Sequence, residues 1–318
     1  MPSIRIVDRL PADRDGERAA LAAGLLAVPA SIPPKYFYDS MGCALYAAIC
    51  ELPEYYLPQT ERTIFAAQRD AIVTAAGQGC QLVDLGAGDG LKAAAWFPHL
   101  RPARYVAVDI ARDALVAALG RMATEHPALP MSGVVTDFTR GLDLETDLDP
   151  GPATFFYPGS SIGNFDPDAA RGFLATLQRH GRSRPGSSLL IGVDTIKESR
   201  RLDAAYDDAV GVTAAFNRNV LRHVNRVLGA DFRPEAFRHR GFFNASAGRV
   251  EMHLEAMSAQ TVAFDGGERR FAAGERILTE YSYKYAPGAF AQMLAGAGYA
   301  AVRCWQDAAG DFAVFSAA

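Results

Sequence analysis

Residues 82–96 read LVDLGAGDGLKAAAW. An apolar run ends in three glycines, Gly86, Gly88 and Gly90, and a helix-like segment follows. What such a turn holds depends on its spacing. A Walker A loop needs GxxxxGK[ST], and the order after Gly86 does not supply it. The dinucleotide fingerprint GxGxxG needs glycine at position 91, where leucine stands. Asp89 also puts a carboxylate where a pyrophosphate would approach the helix N-terminus. The pattern is D-x-G-x-G-x-G, which suits a small ligand that passes over the turn without a phosphate.

Two further acids support that reading. Asp109 ends the next strand-like run, RYVAVDI, where a carboxylate can accept both hydroxyls of a ribose. Asp137 and Phe138 end the run after that, MSGVVTDF. A carboxylate beside an aromatic ring can bond an adenine amino group and cover the ring face. Glycine turn, ribose acid and adenine Asp-Phe pair together describe a site for S-adenosylmethionine. Each has a plainer reading alone: a tight strand-to-helix turn for the glycines, a helix cap for either aspartate. Three successive strand ends favour the cofactor.

Around this corner strand-like and helix-like segments alternate. QLVDLG, RYVAVDI, MSGVVTDF, ATFFYPGS and SSLLIGVDT read as strands, with helices expected over 111–126 and 166–180. The alternation predicts an α/β fold with a parallel, doubly wound, Rossmann-like sheet. Residues 1–60 carry no such alternation; a helix over 16–28 and a loop through Pro53 and Pro58 are expected there, and the apolar spacing from Thr60 to Ala76 reads as a helix again. From Lys197 the pattern changes again. Residues 198–226 read as helical, and residues 240–264 as antiparallel strands with turns at 247–248 and 265–267. YAAVRCWQD and DFAVFSA read as a closing hairpin on the sheet. The expected division is a cofactor domain of residues 61–196 plus 287–318. The second, smaller α+β substrate domain would be residues 1–60 plus 197–286, with a substrate cleft between the two.

Composition excludes several function classes. The 318 residues are 49% hydrophobic and 21% charged, with a net charge of −4, an ordinary globular composition. No basic stripe is present to follow phosphates, so no nucleic acid is expected. No apolar run reaches the ~20 residues of a membrane span, and the charged N-terminus lacks a signal core. A cytoplasmic monomer with no membrane partner is expected. Cys43, Cys50, Cys80 and Cys304 are dispersed, with no CxxC, and no metal site is expected.

Six motifs in order extend the reading. They are PPKYFYDSMG (33–42), ELPEYYLPQTE (51–61), YPGSSIGNFDP (157–167), GVTAAFNRNVLRHVNRVLGADF (211–232), RVEMHL (249–254) and LTEYSYKY (278–285). From about residue 30 to the C-terminus the chain resembles the histidine Nα-methyltransferases of ergothioneine biosynthesis. That resemblance implies a Rossmann-like S-adenosylmethionine-dependent methyltransferase sheet domain with a second, smaller α+β substrate domain, and trimethylation of the α-amino group of L-histidine to hercynine. The donor would be S-adenosyl-L-methionine and the second product S-adenosyl-L-homocysteine. It implies cofactor contacts at Tyr38, Gly86, Lys92, Asp109, Asp137 and Phe138, with Lys92 on the methionine carboxylate. It implies substrate contacts at Tyr55, Gly159, Asn164, Tyr206, Glu280 and Ser282.

Tyr38 and Asn164 are the candidates for orienting the reacting nitrogen, and both suit positioning better than general-base work. Glu280 and Ser282, with Tyr55, would grip the imidazole, and Asn164 and Tyr206 the carboxylate. Each residue has a bland alternative. Tyr55 and Tyr206 can be core tyrosines with satisfied hydroxyls, Asn164 a cap for the helix near Asp166, and Glu280 a solvated strand residue. Two rival functions remain at this level: methylation of another amine such as tryptophan or tyrosine, and a nucleotide-binding regulator without turnover. An ionic acceptor at Glu280 favours histidine, because an apolar ring would leave that carboxylate unmatched.

Overall fold

The computed structural model describes residues 4–10 and 14–318. Residues 1–3 and 11–13 of the expected second domain lie outside the described residues. In chain order the strands are β1 (Arg5–Asp8), β2 (Ala30–Ser31), β3 (Gln81–Leu85), β4 (Arg104–Asp109), β5 (Met131–Val135), β6 (Ala153–Tyr157) and β7 (Ser188–Asp194). There follow β8 (Phe237–Asn244), β9 (Arg249–Ala256), β10 (Gln260–Phe264), β11 (Gly267–Phe271), β12 (Arg276–Tyr283), β13 (Val302–Gln306) and β14 (Phe312–Ala317).

The chain divides into two compact units. The first holds residues 4–10, Leu57–Ile196 and Tyr283–Ala318. Its eight-stranded sheet runs β1-β5-β4-β3-β6-β7-β14-β13. The pairs from β1 through β7 are parallel. β14 lies antiparallel between β7 and β13, which makes the sheet mixed at one side. β3, β5, β6 and β7 are buried at every residue, as strands covered on both faces must be. Val83, Val106, Val134, Phe155, Leu189, Ile191 and Phe315 join one apolar core with Leu174 and Leu177 of the helix Pro167–Arg182. Asp166 starts that helix by accepting the N–H groups of Asp168 and Ala169.

The second unit holds residues 14–56 and Lys197–Ser282. It carries a four-stranded sheet, β2-β12-β9-β8, and the separate hairpin β10–β11. β8 and β9 pair antiparallel from Phe237↔Ala256 to Asn244↔Arg249. The helices Ser40–Ile49, Ser199–Tyr206 and Val212–Leu228 belong to this unit.

Three expectations change. Residues 5–8 form an edge strand on the first sheet, in register with β5 from Arg5↔Ser132 to Asp8↔Val135. Four residues are too few for periodicity to reveal, and the strand exists because β5 offers it a partner. The helix expected from Thr60 begins at Leu57, with Pro58 in its first turn, where a missing N–H costs nothing. The second unit ends at Ser282 rather than at the expected residue 286. Tyr285 is already part of the first unit's apolar core, and Tyr283 packs against it.

Candidate active site

β3 ends where the strand order reverses, with β4 on one side and β6 on the other. Ligands of open α/β sheets bind at such a point. Gly86, Gly88 and Gly90 have φ of 70°, 54° and 72°, a region closed to most side chains. The Gly86 and Ala87 N–H groups both donate to the Val108 carbonyl, at 2.8 and 3.1 Å, and so stitch the turn to β4. A Cβ on Gly88 would meet nothing within 4 Å, so the turn is open there.

Asp109 serves the same turn. One carboxylate oxygen accepts the Gly88 N–H at 2.8 Å and the other the Ala111 N–H at 2.8 Å. A cap alone would not reach back to the glycines. A carboxylate offers about four acceptor positions, so capacity remains for hydroxyl donors. Burial raises the Asp109 carboxyl above its ordinary range, while the Ala111 and Gly88 N–H groups act against that shift. Asp137 is buried and accepts from the Thr139 N–H and hydroxyl. It does cap the short turn Phe138–Arg140. The half-buried Phe138 ring lies against Tyr157 and Phe173. A Cβ on Gly86 would stand 4.0 Å from its tip, so ring and glycine turn are neighbours.

Lys92 follows the turn, in the short helix Leu91–Ala94. Its Nζ lies 2.8 Å from Glu61 Oε2. Glu61 Oε1 accepts the Gly159 N–H at 2.7 Å. Gly159 has φ 76° and sits in the loop after β6, ahead of the 3-10 turn Ser161–Asn164. Lys92 and Gly159 thus meet in the first unit, and Asn164 ends the 3-10 turn that follows. Asp166, not Asn164, caps the following helix, which removes the bland reading of Asn164.

The other named residues lie in the second unit. Tyr206 and Ser282 share a hydrogen bond of 2.9 Å. Glu280 and Ser282 are two apart on β12 and so face one side, and both are buried. The solvated reading of Glu280 is therefore excluded. The Tyr55 ring meets Tyr206 and Tyr46 edge to face, at 6.0 and 6.4 Å. Tyr38 meets Tyr46 and Phe216 at 6.1 and 6.3 Å. Burial pushes the Tyr55 phenol well above its usual range, with Tyr46, Tyr206, Cys50 and Glu280 adding to the shift. Tyr55 keeps its proton at neutral pH and can act as a donor.

Four contributors escaped the sequence reading: Glu61, Tyr46, Asn217 and His239. His239 Nε2 lies 2.8 Å from the Tyr206 carbonyl and Nδ1 2.8 Å from Asn217 Nδ2. With the amide donating to Nδ1, Nε2–H donates to the carbonyl and holds the Tyr206 backbone. Glu61 had one signal: it shares the apolar stripe Leu57–Glu61–Ile64 of its helix.

The first unit's residues fit S-adenosylmethionine. They comprise an open glycine turn, a carboxylate with spare acceptor capacity, a half-buried ring beside a buried acid, and a cation. Among the described residues no group of three or more His, Cys, Asp or Glu could hold a metal ion. Among them also, no helix is long and apolar enough to cross a membrane.

Residues 17–318 match the family described as histidine-specific methyltransferase, SAM-dependent. Histidine N-alpha-methyltransferase of Mycolicibacterium smegmatis is 41% identical over 318 residues, covering 98% of each chain. The protein of that name from Mycobacterium tuberculosis is 40% identical, covering 95% of this chain and 94% of its own. Ergothioneine biosynthesis protein 1 of Schizosaccharomyces pombe is 25% identical over 89% of this chain and 38% of its own length. The chain belongs to the histidine-specific, S-adenosylmethionine-dependent methyltransferases.

Proposed function

We propose that the chain, a cytoplasmic monomer, methylates the α-amino nitrogen of L-histidine three times. The products are hercynine and S-adenosyl-L-homocysteine, as a step of ergothioneine biosynthesis. The observation that carries the choice of acceptor is Glu280, buried on one face of β12 with Ser282, which bonds Tyr206. A carboxylate there can accept an imidazole N–H in a charge-assisted bond, and the match of residues 17–318 to the histidine-specific methyltransferases supports the same acceptor.

Methyl transfer from a sulfonium is an in-line displacement, and the sulfonium supplies the electrophilic methyl and the leaving group. The chain's work is alignment and proton handling. Asp109 takes the ribose hydroxyls, Asp137 and Phe138 the adenine, and Lys92 the amino-acid carboxylate. Glu280, Ser282 and Tyr55 hold the imidazole. Tyr206 and Asn164 donate to the acceptor's carboxylate. An α-amine is mostly protonated at neutral pH, so its proton must leave before the lone pair can attack. In the first and second transfers Tyr38 and Asn164 accept from the N–H groups that remain and aim that lone pair; the third transfer, with no N–H left, relies on the bound orientation alone. None of these is a strong base, so the proton passes to water.

The test is incubation with S-adenosylmethionine and each of the twenty amino acids in turn, followed by mass spectrometry. Histidine alone should gain one, two and then three methyls. Methylation of tryptophan or tyrosine in preference to histidine would overturn the assignment.

A further inference from the structure

The sheet unit contains an acid that the scheme above leaves unused. Glu61 is only 1% exposed at its side chain, on the helix Leu57–Ala67. A charge buried that deeply is costly unless each oxygen is matched. Both are matched: Oε2 by Lys92 Nζ at 2.8 Å and Oε1 by the Gly159 N–H at 2.7 Å. Two glycines clear the space for this arrangement. A Cβ on Gly192 of β7 would stand 2.3 Å from Glu61 Oε1. A Cβ on Gly159 would stand 3.0 Å from Lys92 Nζ. Side chains at either position would push the carboxylate or the ammonium away.

We propose that Glu61 is a positioning residue for the amino-acid end of the methyl donor, acting through Lys92. This rests on the reading that Lys92 meets the donor's carboxylate. A lysine head on a four-carbon stem is mobile, and ordering it on ligand binding costs entropy. Glu61 removes that cost in advance by using one of the three ammonium protons. Lys92 is 39% exposed at its side chain, so its remaining donors are reachable. The same carboxylate fixes the orientation of the Gly159 peptide plane. One buried acid therefore sets two groups from distant parts of the chain.

The test compares two ligands by calorimetric titration. S-adenosyl-L-homocysteine carries the amino-acid end; 5′-methylthioadenosine keeps the nucleoside and lacks that end. In Glu61→Gln the amide must turn its NH2 toward either Lys92 or the Gly159 N–H, setting donor against donor. Affinity for S-adenosyl-L-homocysteine should fall about tenfold, the scale of one charge-assisted bond. Affinity for 5′-methylthioadenosine should stay as in the wild type. Lys92→Gln, at a half-exposed side chain, should show the same split, and the double variant should bind no more weakly than Lys92→Gln alone. Equal losses for both ligands would make Glu61 merely structural and overturn the proposal. So would unchanged binding of S-adenosyl-L-homocysteine in either single variant. If Glu61→Gln does not fold, the Lys92→Gln pair of titrations still decides, since an equal effect on both ligands there removes the link to the amino-acid end. Failure of the wild type to bind S-adenosyl-L-homocysteine would instead remove the donor reading itself, and the proposal with it.

Discussion

The candidate site residues of the two units are satisfied by different means. In the sheet unit the backbone does most of it. Asp109 is held by the Gly88 and Ala111 N–H groups, Asp137 by that of Thr139, and Glu61 by that of Gly159. Among the second unit's site residues side chains hold side chains. Tyr206 bonds Ser282, Asn217 bonds His239, and Tyr38, Tyr46, Tyr55, Tyr206 and Phe216 pack ring on ring. A site built on backbone geometry can present the same contacts under many sequences, provided its glycines stay. A site built from side chains is specific to its residues and changes with each of them. A donor common to many enzymes suits the first kind, and a particular acceptor suits the second.

The largest effect should come from breaking the first kind at its charged member. Asp109→Ala removes the acceptor of two ribose hydroxyls and also the tether on Gly88. Hydrogen bonds to a charged group contribute roughly 1.5–3 kcal/mol each, so two should correspond to about a hundredfold or more in donor affinity. Calorimetric titration with S-adenosyl-L-homocysteine measures it. Unchanged affinity would mean Asp109 serves only the turn.

Next comes the second unit's carboxylate. Glu280→Ala should cost histidine on the order of tenfold to a hundredfold in affinity, the scale of one charge-assisted bond. An apolar aromatic acceptor should lose less or gain, because the buried carboxylate that disfavours it is gone. The ratio of histidine to tryptophan methylation in wild type and variant reads this directly. A ratio that does not move would detach Glu280 from the imidazole.

This contrast also explains what was legible in the sequence. The glycine turn could be read because three positive φ angles demand glycine at fixed spacing, and Asp109 and Asp137 because they end apolar runs. β1 could not, since four residues carry no period and the strand depends on β5. Glu61 was missed because glutamate in an apolar stripe ordinarily reads as a flaw in the stripe rather than a buried acid. Tyr55, Tyr206, Glu280 and Ser282 came only from resemblance to a family. Their convergence depends on tertiary packing among helix, loop and β12, which no local pattern encodes. Tyr46, outside the resemblance as read, shows the same limit: its role lies in the rings it touches.

A smaller effect should follow at the edge of that side-chain network. Tyr206→Phe keeps the ring against Tyr55 and removes only the hydroxyl bonded to Ser282. A neutral hydrogen bond contributes about 0.5–1.5 kcal/mol net, so the KM for histidine should rise by roughly two- to tenfold. Affinity for S-adenosyl-L-homocysteine alone should stay constant. A matching loss of donor affinity would show that the two kinds of site are not separable at this residue.

A last effect, on stability rather than on binding, concerns an acid near the glycine turn that is held by a side chain. Asp84 lies inside β3, buried, and accepts the Tyr105 hydroxyl at 2.8 Å. Burial pushes its carboxyl up to about 7, against an ordinary 3.8; the Tyr105 bond opposes the shift and Asp109 adds to it. The folded chain therefore binds a proton at Asp84 that the unfolded chain has released between about pH 4 and 7. Stability from this group is full below the unfolded value and is lost as pH rises through the folded one. Asp84→Asn cannot titrate, and its amide oxygen can still accept from Tyr105. The melting temperatures of wild type and Asp84→Asn should then lie close together near pH 4. Towards pH 8 the variant should melt progressively higher, by about 2–4 °C for each kcal/mol that the carboxylate costs. Thermal scans across that range measure the difference. A constant gap at every pH would mean that Asp84 titrates alike folded and unfolded, and that a side-chain partner satisfies a buried acid here as fully as backbone N–H groups do at Asp109.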